Sequence, residues 1–241
     1  MIISPISVAI IGHLGSDLSV VNAARVSMAK ESSWEQHYEG EDYNMLSGVH
    51  FPLFREGLAE RDVKLLGYLA KHKHWTPFSH PQISFRIKAP IFVARQWFKH
   101  MIGFTRNETS RRYVDDAPEF YIPDAVRSRP DGNIKQGSGA THPESETWRE
   151  VMVQAAGTML ATYEVMIADG VAPEQARAVL PQNMMTEWIE TASLAAVCRA
   201  CALRLDPHAQ LETREVAEQM AELVAPLFPV SWSALMGVDN V

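Results

Sequence analysis

The residues best suited to chemistry crowd between Arg86 and Tyr113. Seven cations (Arg86, Lys88, Arg95, Lys99, Arg106, Arg111, Arg112) fall between Arg86 and Arg112 against one carboxylate, Glu108, so this segment carries +6 in a chain of formal net charge −7. Arg and Lys make charge-assisted hydrogen bonds to phosphate, so a cationic segment in an acidic chain suits a small phosphorylated ligand. The same pattern also fits a solvated basic face. A nucleic-acid backbone would need a broader basic surface than a chain of pI near 5.7 offers, so no nucleic-acid partner is expected. Within Asn107–Arg112, Glu108 offers a carboxylate, Ser110 a hydroxyl and Arg112 a guanidinium, enough for one loop to touch base or ribose, phosphate and cofactor together.

Other reactive types read differently. Cys198-Arg199-Ala200-Cys201 is a C-x-x-C with no second pair, and on a helix this spacing puts both thiols on one face, which reads as core packing. Two cysteines make no disulfide framework and fit a reducing compartment. His72, His74, His80 and His100 match no zinc spacing, so no metal site is expected. Glycine signatures of Rossmann and P-loop sites are missing. Arg25 and Arg95, inside apolar helical stretches, fit either buried ion pairs or ligand contacts.

The elements that must position these groups follow from periodicity. Ile6–Ile11 reads as a strand, and Leu18–Met28 as a helix capped by Ser16 or Asp17. Lys30–Pro52 is polar and aperiodic, hence a loop or insertion; Ala59–Lys71 is a helix. Ile83, Phe85 and Ile87 alternate with Ser84, Arg86 and Lys88 as in a half-buried strand. Pro90 opens a helix that runs to about Met101 and ends before Gly103, leaving Phe104–Arg112 as a loop. On that helix Arg95 and Lys99 share a face, with Gln96 and His100 on the next strip. Residues 115–144 form a second loop insertion. Glu146–Ala168 is a long amphipathic helix, Pro173–Leu180 a short one, Thr186–Thr191 either strand or loop, and Ser193–Leu205 and Ala209–Leu223 are helices. The 241 residues, 46% hydrophobic and 21% charged, are ordinary for one globular α+β domain spanning 1–241, a small mixed or antiparallel sheet flanked by long helices. No run of about 18 apolar residues predicts a membrane span, and M-I-I-S-P-I-S lacks the basic start of a signal peptide, so the expected location is cytoplasmic.

The order R-Q-W-F-K-H-M…N-E-T-S-R-R-Y resembles the signature of the flavin-dependent thymidylate synthases, in which an Arg-His-Arg triplet precedes Asn-Glu-x-Ser-x-Arg-Tyr. Further blocks are similar in the same order: Asp17–Ser27, Leu69–His80, Ala89–Phe98, Ala176–Pro181 and Leu203–Gln210. The resemblance implies that family's fold and FAD-dependent methylation of dUMP at C5, with methylenetetrahydrofolate as carbon donor and NADPH as reductant, in a homotetramer with active sites shared between copies. Carried over by position, dUMP contacts fall on Gln96, Lys99, Glu108, Thr109, Ser110, Arg111, Arg112, Arg177 and Arg204. FAD contacts fall on Ser27, His74, Thr76, Lys99, His100, Met101, Asn107, Glu108, Arg199, Leu203 and His208. Arg204, beside the uracil edge, and His74 are the candidate catalytic residues; stabilised negative charge on the ring would make C5 nucleophilic. The chain departs from the pattern in Lys99-His100-Met101 for Arg-His-Arg, one extra residue before Asn107, Ser79 for a frequent carboxylate, Ala195 for an Arg, and Arg111 for a small residue. Arg106 is a candidate to restore the missing cation. A dUMP or UMP hydroxymethylating variant and a non-catalytic nucleotide-binding module are the alternatives.

Overall fold

The alternation of Ile83, Phe85 and Ile87 with polar neighbours buries all three completely, and the strand they form organises the main sheet. The computed structural model describes residues 1–113, 116–130, 132 and 137–237. In chain order its elements are β1 (Ile2–Ile3), β2 (Ser7–Leu14), α1 (Asp17–Arg25), β3 (Glu35–Asn44), β4 (Val49–Gly57), α2 (Glu60–Lys71), β5 (Gln82–Pro90), α3 (Ile91–Trp97), β6 (Phe104–Glu108), β7 (Glu119–Phe120), α4 (Ser145–Ala168), α5 (Pro173–Ala176), β8 (Met185–Ser193), α6 (Leu194–Arg204), α7 (Leu211–Val224) and α8 (Pro229–Met236). They divide into two compact units: Met1–Gly12, Ile83–Ala192 and Arg199–Leu223 in the first, His13–Gln82, Ser193–Cys198 and Val224–Val241 in the second.

The first unit carries the four-stranded sheet, ordered β2-β5-β8-β6, and the short parallel pair of β1 with β7. Phe120, Ala156, Leu160 and Met184 form one buried cluster, so α4 is seated there by two residues one turn apart. Its remaining surface is largely exposed. Contrary to the expectation of no such segment, α4 has the length and hydropathy (1.3) of a membrane span, with 17% of that stretch buried. Length and composition alone produce this match, which core and interface helices share.

The second unit packs α1, α2 and α8 around Val20, Val21, Leu66, Phe78 and Phe228. Ser16 precedes α1, and Ser19 Oγ accepts its N–H at 3.0 Å. Asp17, a candidate cap for α1, serves another helix: its buried carboxylate accepts the N–H groups of Val230 and Ser231 at 2.9 Å each, at the start of α8. Arg25 resolves as an ion-pair partner of Asp62, with Nε to Oδ1 at 2.8 Å.

Several local expectations are corrected. The stretch read as a loop from Lys30 to Pro52 holds β3 and the first four residues of β4, which form an antiparallel hairpin running Glu35↔Gly57 to Asn44↔Val49. The polar β3 shows no two-residue apolar period, and both faces of the hairpin are solvated; in β4 Val49, Phe51 and Leu53 do alternate, but within a run too short and interrupted by Pro52. The helix after Pro90 stops at Trp97 rather than Met101, and Phe104–Glu108 is a strand rather than a loop. Thr186–Thr191 lies in β8, and α8 went unread. Within 115–144 the described residues include β7 and an Arg127↔Thr141 bridge, while part of the Pro, Gly and Ser-rich run lies outside the described residues.

Candidate functional site

Strand β6 sets the site, because its antiparallel pairing with β8 fixes Arg106 opposite Glu190 and Glu108 opposite Trp188. At the end of the strand Thr186 Oγ1 donates to Glu108 at 2.6 Å and the Thr109 N–H bonds the Glu187 carbonyl at 2.8 Å. The chain then turns, with Tyr113 N–H on the Ser110 carbonyl at 3.0 Å, and presents Thr109 to Arg112 to a cleft of about 990 Å³. Lys88, Arg95, Arg111, Arg112 and Arg177 bring the positive charge to its wall.

These cations are not equivalent. Lys88 is paired with Glu119, and that bond together with one from Ser4 holds the Glu119 carboxyl below its usual range. Arg111 donates to the Asp116 carbonyl, and Arg177 Nε to the Glu174 carbonyl at 3.3 Å. Arg112 Nε reaches Ser110 Oγ at 3.1 Å while its guanidinium lies 4.9 Å from the Tyr113 ring centre. Among the described residues none of Arg95, Arg111, Arg112 and Arg177 has a carboxylate ion-pair partner. Glu108, Asp116, Glu119, Glu174 and Glu187 line the same cleft, yet these four guanidiniums form no ion pair among the described residues, and their forked donors suit a phosphate.

A second cluster in the same unit centres on His100. Arg204 Nε donates to its Nε2 at 3.0 Å, Arg106 Nη1 donates to its carbonyl at 2.6 Å, and Arg199 donates to the carbonyl of Ile102. Desolvation first, then the charges of Arg204, Arg106 and Arg199, lowers the His100 pKa to about 4, so the imidazole is neutral at pH 7. Arg106 does not restore the cation missing at Met101, since its charge is balanced by the buried Glu190 at 2.6 Å.

The second unit has its own pocket of about 630 Å³, to which Ser27, His74 and Thr76 all contribute, with Tyr68, Trp75 and His80 around them. His80 lines this pocket while remaining exposed.

Six of the expected dUMP residues, Glu108, Thr109, Ser110, Arg111, Arg112 and Arg177, line one cleft. Gln96, Lys99 and Arg204 do not. Gln96 instead bonds Gln210 and accepts from Thr213 at 3.3 Å, Lys99 is exposed at the end of α3, and Arg204 joins the His100 cluster. Of the expected FAD residues, three share the pocket of the second unit. In the first unit Arg199 and His100 share a cluster, Glu108 lines the cleft, and Met101, Asn107, Leu203 and His208 are exposed. The sequence reading missed Glu190 and the cleft role of Lys88. A buried carboxylate inside the β8 alternation, E-W-I-E, was the signal available for Glu190. Cys198 and Cys201 are core residues as expected, and burial pushes the Cys201 thiol up to about 12.

Comparison with known proteins gives a consistent picture. Residues 9–230 match the family described as "Thymidylate synthase complementing protein". A flavin-dependent thymidylate synthase of Thermus thermophilus is 34% identical over 229 residues, covering 94% of this chain and 74% of that protein. The Kosmotoga olearia protein of the same name is 36% identical over 226 residues, covering 92% and 86%. Among solved structures, a UMP/dUMP methylase, PolB of Streptomyces cacaoi bound with 5-Br dUMP, superposes with a TM-score of 0.79 at 28% identity, covering 100% of this chain and 99% of that one.

Proposed function

The chain belongs to the flavin-dependent thymidylate synthase family, and on that premise we propose that it transfers a one-carbon unit from methylenetetrahydrofolate to C5 of dUMP, giving dTMP. The observation that carries the substrate is the cleft with four guanidiniums that have no carboxylate ion-pair partner among the described residues, beside the Thr109–Arg112 turn. Arg112, with Ser110, and Arg177 bind the nucleotide phosphate, and Arg111 and Arg95 add charge at the same wall. Arg204 rests against the uracil edge and favours negative charge on the ring, so that C5 forms a bond to the methylene carbon and its hydrogen leaves as a proton. FAD, reduced by NADPH, supplies when bound the hydride that completes the methyl group.

The donors present fit such a cofactor. Arg199 lacks a carboxylate partner among the described residues, and the neutral His100 belongs to the same cluster, which suits a diphosphate and a polar ring edge. Ser27, His74 and Thr76 offer hydroxyl and imidazole groups in a second, separate pocket. In the same proposal the chain forms a homotetramer with shared sites, so the groups of donors serve sites completed by other copies. The exposed face of α4 supports assembly. From Val151 to Ala168 its one charge is Glu164, and Thr158 and Thr162 turn their hydroxyls back to the Gln154 and Thr158 carbonyls, leaving methyls outward. A single cooperative domain and a cytoplasmic location complete the proposal.

Incubation with dUMP, methylenetetrahydrofolate, NADPH and FAD tests it. We expect a yellow protein, release of the C5 hydrogen, and a product one methylene (CH2) heavier than dUMP. A hydroxymethyl product would change the assigned reaction, and a colourless protein inert toward dUMP would refute it. UMP run in parallel decides whether the ribonucleotide is also a substrate, as the likeness to a UMP/dUMP methylase motivates.

A further inference from the structure

Glu190 on β8 is fully buried and accepts three hydrogen bonds, from the Trp97 indole at 2.9 Å, the Trp188 indole at 3.2 Å and Arg106 Nε at 2.6 Å. Arg106 faces it directly across the β6–β8 pairing. The guanidinium lies 4.6 Å from the Phe104 ring centre and 5.3 Å from that of Phe98, and its Nη1 donates to the His100 carbonyl at 2.6 Å. Taking a carboxylate and a guanidinium out of water is expensive, and well-packed apolar residues of similar volume would often be as stable or more so. Stability alone therefore does not explain the pair.

What the pair holds is the turn between α3 and β6. The main chain of that turn is tied at the His100 carbonyl, and the His100 ring sits 5.4 Å from that of Trp97 and 6.3 Å from that of Phe104. Its Nε2 accepts from Arg204 Nε, so that nitrogen carries no proton and the ring proton is on Nδ1. With Nε so engaged, the Arg204 fork has one orientation in which to offer its terminal nitrogens.

We propose that Glu190 and Arg106 are positioning residues for the reaction: the buried pair pins the chain at His100, His100 presents a fixed acceptor, and that acceptor aims the Arg204 guanidinium. This deepens the function proposed above and rests on Arg204 facing the uracil. Lys cannot replace Arg106, because one ammonium cannot reproduce the fork that reaches Glu190 and the His100 carbonyl together. Loss of charge at Glu190 leaves Arg106 buried without a counter-ion.

The test compares Arg106→Lys and Glu190→Gln with the parent enzyme. For both variants the expected result is FAD affinity and a KM for dUMP each within about threefold of the parent, and kcat for C5-hydrogen release at least tenfold lower. In an Arg204→Lys background, Arg106→Lys should add less than a twofold further loss, because both changes act on one guanidinium. Independently of turnover, ¹⁵N-histidine spectra of the cofactor-free protein should show His100 protonated on Nδ1 alone in the parent and as a tautomer mixture in Arg106→Lys. Unchanged kcat, FAD loss that parallels the loss of kcat, multiplicative double-variant effects, or an unchanged tautomer would each overturn the positioning role. A parent enzyme that binds FAD but releases no C5 hydrogen would refute the proposed function instead, and the tautomer comparison would still decide whether the pair sets His100.

Discussion

Arg112 and His100 show how much a single side chain owes to its neighbours. Among the described residues the partners of the Arg112 guanidinium, Ser110 and Tyr113, are both neutral, and none is a carboxylate. Arg112→Ala should therefore weaken dUMP by about 1.5–3 kcal/mol, the range for a hydrogen bond to a charged group. That is roughly a 10- to 150-fold rise in dUMP concentration at half-saturation, and an unchanged titration would remove Arg112 from the phosphate site. For His100 the sign of the pH effect follows from its lowered pKa. The folded pKa of about 4 lies below the ordinary 6.5, so the unfolded chain binds the extra proton first as pH falls. Its contribution is intact above about pH 6.5 and is lost as pH falls through 4. Thermal melting between pH 7 and 4 should fall less steeply for His100→Gln than for the parent; parallel curves would contradict this.

At the scale of elements, the junctions between helices depend on residues whose local sequence suggests a different job. Asp17 opens α1 yet caps α8, more than 200 residues away, with a carboxylate that is 2% exposed. Asp17→Ala leaves two N–H groups at the start of α8 without their acceptor, which should cost about 2–3 kcal/mol and lower the melting temperature by roughly 4–12 °C for a chain of this size. Calorimetry checks it, and a shift under 1 °C would mean that water replaces the cap. The same dependence on distant partners limited the reading of β6. Phe104–Glu108 lacks an alternating apolar pattern because Arg106 points inward to Glu190, so a strand looked like a loop. The α3 boundary at Trp97 likewise follows from the turn tied down by Arg106, not from Gly103 alone.

At the scale of the whole molecule, α4 is a long apolar helix that its own chain leaves largely uncovered. Only Ala156, Leu160 and Tyr163 of its 24 residues are buried. In the proposed homotetramer the opposite face is covered by another copy. Val165→Glu, at a position 67% exposed, should leave far-UV circular dichroism unchanged while reducing the assembly below four times 27.0 kDa in light scattering. An unchanged tetramer mass would place the interface elsewhere.

The sequence by itself determined the family, through ordered blocks from Asp17 to Gln210, and most helices, because apolar periodicity is a local property of the chain. It also located the excess of positive charge, while the loop it expected over Phe104–Arg112 begins only after β6 ends at Glu108. Only the tertiary structure decided which of those charges are unpaired. Arg25, Arg86, Lys88 and Arg106 are matched by Asp62, Glu187, Glu119 and Glu190, while Arg95, Arg111, Arg112 and Arg177 meet at a cleft. Ion pairing depends on which residues lie within a few ångströms after folding, and these partners are 31 to 101 positions apart along the chain.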